Sequence, residues 1–278
     1  MALTEQNHIS IAQIVIYVPS LLIAILLAIR HGIGRSSGWL YLIIFSLARL
    51  IGPSLQLATI SDPTNIRLRI GAAILQNIGL SPLIMVQLSL IGRALGSIRK
   101  STNPLVTEKR VHLIHLLALV GLVLGSIGGS NSGTNFGKTG TYTVSGLTQA
   151  GTGLFIAAYV LLVISTILVA TQISDVEPGE KRLVLAVGLS LPFILVRLVY
   201  SAESVYGHNP SFSQLTGNVN IQLGMAVIME MIVVAICESI GMTLKKLPKI
   251  QAATHPEDGG YQQPSQQTEG DHEMGGYK

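Results

Sequence analysis

"LVLAVGLSLPFILVRLVYSAESV", residues 183–205, is an apolar run interrupted by only two charged side chains, Arg197 and Glu203. A helix rises 1.5 Å per residue, so about 20 such residues cross the hydrocarbon core of a bilayer. Six further stretches of the same kind surround it. In chain order the seven expected spans are Ile9–Ile29, Trp39–Ile60, Ile70–Leu95, Val111–Ile127, Thr148–Ile173, Leu183–Val205 and Asn218–Leu244. The runs are too long and too uniformly apolar for the alternating ten-residue strands of a membrane barrel. The expected fold is all-α: a polytopic membrane protein built as a bundle of seven transmembrane helices. Its fourth span is the shortest.

Composition agrees. The 278 residues are 49% hydrophobic and only 12% charged, against roughly 25% charged in soluble domains. Cys237 is the single cysteine, which excludes an intrachain disulfide and a cysteine-based metal site. The first run is followed by Arg30 and Arg35 rather than preceded by basic residues, the reverse of a signal peptide. It reads as a retained span.

The basic residues set an orientation. Thirteen of the 18 Lys and Arg fall on one side: Arg30 and Arg35, then Arg93 to Arg110, then Lys181 and Arg182, then the C-terminal segment. Only Arg67, Arg69 and Lys138 fall on the other. The basic side is the cytoplasmic one, so the N-terminus is expected outside and the C-terminus in the cytoplasm. Residues 1–250 form the membrane domain. The tail 251–278, rich in Gln, Gly, Glu and Pro, is expected to be disordered. The segment "GGSNSGTNFGKTGTYTVSG", residues 128–146, reads as an external loop. Pairs of glycines four apart, Gly92/Gly96 and Gly121/Gly125, read as helix-packing contacts.

Five ionisable residues lie within the spans: Arg49, Arg197, Glu203, Glu230 and Glu238. Each costs about 2.5–3.5 kcal/mol at a helix centre, so such groups turn inward and pair, or serve a site. By depth, Arg49, Arg197 and Glu230 share a level between mid-membrane and the outer half, while Glu203 sits near the outer surface. Helical spacing adds Gln56 to the Arg49 face and Tyr200 and Ser201 to the Arg197 face. Gln76 and Asn77 lie in the outer third of the third span. These groups outline an outward-opening polar cavity between the second, third, sixth and seventh spans. Arg49, Gln56, Asn77, Arg197, Tyr200 and Ser201 are its candidate ligand-binding residues.

Three uses remain open. One is a small lipophilic ligand in a receptor or sensor. A second is an enzyme in which Glu230 or Glu203 acts as general acid, since a carboxylic acid in an apolar site can do so. A third is an ionic lock, Arg49–Glu230 or Arg197–Glu230, with no ligand. No cofactor, metal site or nucleic-acid contact is expected. The expected partners are membrane lipids, with Arg99–Lys100 and Lys109–Arg110 suited to anionic head groups. The composition does not separate plasma membrane from endoplasmic reticulum.

The stretches "LPFILVRLVYSAESVYG" (191–207), "FSLARLIGPSLQL" (45–57) and "LQNIGLSPLI" (75–84) resemble a group of fungal seven-helix integral membrane proteins of uncharacterised activity. The resemblance covers roughly residues 9–246, with Arg197, Tyr200 and Ser201 as its most specific element and Arg49 next. It implies the seven-helix fold and no particular chemistry. Microbial opsins fit poorly, because Asn218–Leu244 lacks a lysine for a Schiff base. Familiar G-protein-coupled receptors fit poorly too, because the seventh span has no proline. Fungal membrane terpene cyclases are similar in architecture only. That likeness implies an isoprenoid cyclase, with Glu230 or Glu203 as the acid, as the alternative to a receptor.

Overall fold

The computed structural model describes residues 4–32, 37–62, 65–99, 106, 108–140, 143–176, 179–207, 209–213 and 217–244. All lie within the compact unit Met1–Lys246. The tail 251–278, expected to be disordered, lies outside the described residues, as do several basic loop residues used for orientation.

The described residues contain helices and no strand. They are α1 (Glu5–His31), α2 (Ser37–Ala58), α3 (Ile66–Ile78), α4 (Leu80–Ile98), α5 (Glu108–Thr139), α6 (Gly146–Thr171), α7 (Lys181–Tyr206), α8 (Val219–Gln222) and α9 (Met229–Thr243). Six π-helical residues, Leu223–Ile228, join α8 to α9. With α3 and α4 taken together, and α8 through α9 likewise, seven helical stretches are long and apolar enough to cross a membrane.

Three expectations change. The fourth span is the longest single helix, 32 residues. The supposed external loop from residue 128 is helical to Thr139, because glycine weakens a helix without ending it when packing supplies the difference. The third span is two helices rather than one, broken at Gly79. Pro82, in the first turn of α4, explains the break: its ring has no N–H and crowds the carbonyl four residues back, that of Ile78.

Burial places the third span at the centre. Its apolar window is 72% buried, against 28% for the fourth span and 50% or less for the rest. α4 carries Leu83, Ile84, Val86, Leu88 and Ile91 fully inside and packs on α2, α5, α6 and α7. The outer helices instead expose rows of large aliphatic side chains, such as Val15, Leu22, Leu26 and Ile29 on α1 and Leu113, Leu116, Val120 and Val123 on α5. Apolar surface this extensive suits lipid and not water. Where spans end, polar groups satisfy the helix termini. Asn65, Ser145 and Asn218 each accept a backbone N–H at the start of α3, α6 and α8. Arg30 donates to the carbonyls of Met242 and Leu244 at the end of α9 (3.1 and 3.2 Å), a cation placed at the negative end of a helix. Nearby, Arg93 donates through Nε and Nη2 to one oxygen of Glu180 (2.9 and 2.8 Å), tying α4 to the start of α7.

α5 and α6 pair along their length by close approach at small residues. A Cβ on Gly151 would stand 2.8 Å from the Gly121 carbonyl oxygen and 2.7 Å from the Gly125 backbone nitrogen. Gly92 and Gly96 differ from expectation, since a Cβ on Gly96 meets nothing within 4 Å. Gly151→Ala is therefore expected to lower stability by about 1–3 kcal/mol through overpacking, while Gly96→Ala stays within about 0.5 kcal/mol. Thermal unfolding of both variants in detergent checks this; equal melting curves would deny the close contact.

Candidate functional site

The centre of the bundle is an ionic knot. Oε1 of Glu230 accepts from Arg49 Nη2 at 2.5 Å and from Arg197 Nε at 2.7 Å. All three side chains are 1% exposed. Arg49 comes from α2, Arg197 from α7 and Glu230 from the first turn of α9, directly after the π-helical segment. That segment turns the helix by fewer degrees per residue than α geometry, and so sets the direction in which Glu230 points.

The break at Gly79 supplies the remaining partners. A helix end leaves its last carbonyls without intrahelical donors. Here Arg49 donates to the carbonyls of Leu75 (3.3 Å) and Gln76 (3.1 Å), and Arg197 donates to the Gln76 carbonyl as well (3.0 Å). Two guanidiniums thus face the negative end of α3. A Cβ on Gly79 would overlap the Arg49 guanidinium, so only glycine allows this approach. Arg49 also donates to Gln76 Oε1 (2.9 Å) and Arg197 to Ser201 Oγ (2.5 Å). Phe45 lies 5.3 Å from the Arg49 guanidinium and Tyr200 lies 5.6 Å from that of Arg197, both within cation–π range. Tyr17 packs its edge on Phe45 at 5.7 Å.

A cavity of about 430 Å³ opens beside the knot. It is bounded by the start of α1, the end of α2, one face of α3 and the start of the seventh span, so it opens at the N-terminal face. Six carboxamides line it: Gln6, Asn7, Gln13, Gln56, Gln76 and Gln222. Among the described residues, Asn7 Oδ1, Gln13 Oε1 and Gln76 Nε2 are buried without a hydrogen-bond partner.

The structure divides the sequence-predicted residues. It brings Arg49, Arg197, Ser201 and Glu230 into the knot, but Arg49, Arg197 and Glu230 line neither cavity. Gln56 lines the large cavity. Asn77 and Ser201 line a separate crevice of about 10 Å³ against α5 and α6, room for about one water. Tyr200 is buried between Arg197 and Phe212. Glu203 is exposed near the end of α7, apart from the knot. Glu238 is buried elsewhere, accepting from Ser20 at 2.6 Å. The cavity also differs from expectation in its walls. α7 contributes nothing to it, and α1 contributes Gln6, Asn7, Ser10 and Gln13. A signal for α1 exists: Gln6, Ser10, Gln13, Tyr17 and Ser20 recur every three or four residues and so share one face.

A helical bundle with seven stretches fit to cross a bilayer, closed by a buried ionic knot, fits an integral membrane protein with several spans. The chain belongs to the family described as Domain of unknown function (DUF7702), which matches residues 3–247. No curated protein and no solved structure matches it.

Removing one member of a buried ionic cluster leaves unpaired charge and typically costs about 3–5 kcal/mol. Glu230→Gln is expected to destabilise the bundle on that scale, and Gly79→Ala to destabilise it by displacing Arg49. Unfolding of the purified variants in nanodiscs measures both. A Glu230→Gln protein as stable as the wild type would show that the knot does not hold the helices together.

Proposed function

We propose that this protein is a receptor- or sensor-like membrane protein that binds a small ligand with a lipophilic body in the cavity beside the knot. The observation that carries the reading is a void of about 430 Å³ lined by carboxamides, three of which, Asn7, Gln13 and Gln76, each keep one buried polar atom without a partner. Leaving such a group unpaired costs about 1–3 kcal/mol, and that cost is recovered when a ligand supplies the partners. The volume falls within the ~300–1,000 Å³ of small-molecule sites. Apolar residues, among them Ile9, Pro53, Ile60 and Leu223, share the walls with the amides and suit a lipophilic body.

The site has a route to the rest of the bundle. Gln76 lines the cavity and is held by Arg49. Leu223 lines it and begins the π-helical segment that leads to Glu230. A ligand that moves either residue moves the knot, and with it α2, α7 and α9. The knot acts as lock and relay, and the ligand sits next to it. The cyclase alternative lacks comparable support, since Glu230 lines neither cavity and Glu203 is exposed. The bias of basic residues supports a cavity mouth outside the cell or in the lumen of the endoplasmic reticulum. The exposed aliphatic belts support membrane lipids as the surrounding partners.

Two measurements test this. Protein purified from membranes of its own host is expected to carry a small molecule, visible by native mass spectrometry, that Ala73→Trp excludes by filling the cavity. An identical spectrum for both proteins would count against the site. For orientation, a membrane-impermeant maleimide applied from the external or luminal side is expected to label Thr4→Cys and not Gln172→Cys; the reverse pattern would invert the topology.

A further inference from the structure

We infer that the ligand is an anion, a small amphipathic molecule bearing one carboxylate; the inference rests on the binding site proposed above. Three observations support it. First, among the described residues lining the cavity, Arg69 is the only charged side chain. Glu5 and Asp62 are exposed and do not line it. Second, the knot behind the cavity combines two guanidiniums with one carboxylate. It carries one formal positive charge in excess, in a low-dielectric interior where such a field is weakly screened. Third, the orientation of Gln76 is fixed. Arginine has only donors, so the atom that Arg49 Nη1 contacts at 2.9 Å is the amide oxygen. The Gln76 NH₂ is then a donor by necessity, and it has no partner.

A cation at the rim, an unpartnered amide donor on a lining residue and a positive field behind that residue all favour an acceptor with negative charge. A guanidinium binds a carboxylate with two parallel hydrogen bonds. One rim arginine matches a monoanion, whereas a phosphate dianion would call for more cationic partners than the lining provides. The other carboxamides can turn either the oxygen or the nitrogen toward a ligand, so they tolerate varied polar substituents. Pro53, Ile60 and Leu223 take the apolar part.

The test uses the full-length protein in nanodiscs of zwitterionic lipid, with three probes of one shape: hexanoate, hexanamide and hexylammonium. Affinity is read by isothermal titration at neutral pH. Hexanoate is expected to bind more tightly than both other probes. Arg69→Gln is expected to weaken hexanoate by about tenfold or more, since it removes both charge-assisted hydrogen bonds at an exposed rim, and to leave hexanamide unchanged. Arg69 is exposed and outside the knot, so the variant retains the fold. Ala73→Trp is expected to abolish binding of all three probes. If hexanamide binds as well as hexanoate and both are lost in Ala73→Trp, the site stands and its preference for an anion falls. If hexanoate binds equally to wild type and Ala73→Trp, or not at all, the anion inference falls together with the site. Octadecenoate in the bilayer, compared with hexanoate in water, separates a membrane-borne acid from a soluble one: tighter binding of the long-chain acid assigns the source to the membrane, and tighter binding of hexanoate assigns it to the aqueous phase.

Discussion

One carboxylate oxygen organises this protein. Oε1 of Glu230 accepts from two arginines that arrive on different helices. Neither arginine would stay in the hydrocarbon layer unpaired at small cost. The same two guanidiniums draw the end of α3 into the cluster, because the break at Gly79 exposes carbonyls that need donors. Four of the seven spans therefore meet at one point for electrostatic reasons, while shape-matched contacts such as that of Gly151 with α5 hold the remainder. The void lies next to that point, lined by the start of α1, the end of α2, one face of α3 and the start of the seventh span.

Much of this could be read in the sequence. The spans follow from apolar length alone, since lipid admits only backbone that satisfies its own hydrogen bonds. The knot was accessible by depth: counting residues along each span puts Arg49, Arg197 and Glu230 at one level. Counting does not show that both arginines share one oxygen, because azimuth around the seventh helix depends on the π-helical residues before Glu230. Nor does it show that α3 ends at Gly79. Pro82 could be read as tolerable in a membrane helix, and the decisive fact, an arginine from α2 lying against Gly79, is tertiary.

The cavity was the least legible part. Charged residues point to the second, third, sixth and seventh spans, and of these the sixth contributes nothing to the wall. The first span takes its place in the wall, with uncharged Gln6, Ser10 and Gln13 in a stripe that total hydropathy hides. Carboxamides cost less than charges in lipid, so they carry less weight in any reading by composition. Here they mark the void, and the charges mark the joint beside it. The two kinds of polar group have separate roles, and depth alone could not distinguish them.

The order of the chain gives the knot a further meaning. Arg49 precedes Glu230 by 181 residues. At about 5–20 residues per second of synthesis, the arginine waits roughly 10–40 s in or near the bilayer before its carboxylate exists. Gln76 follows after only 27 residues, so the amide and the carbonyls at the end of α3 are the first acceptors Arg49 can reach. Assembly thus begins with a provisional pairing of the second and third spans and is sealed by the seventh. A nascent chain that ends between residues 197 and 230 holds both arginines of the knot without the carboxylate that pairs them, a defect of charge rather than of hydropathy.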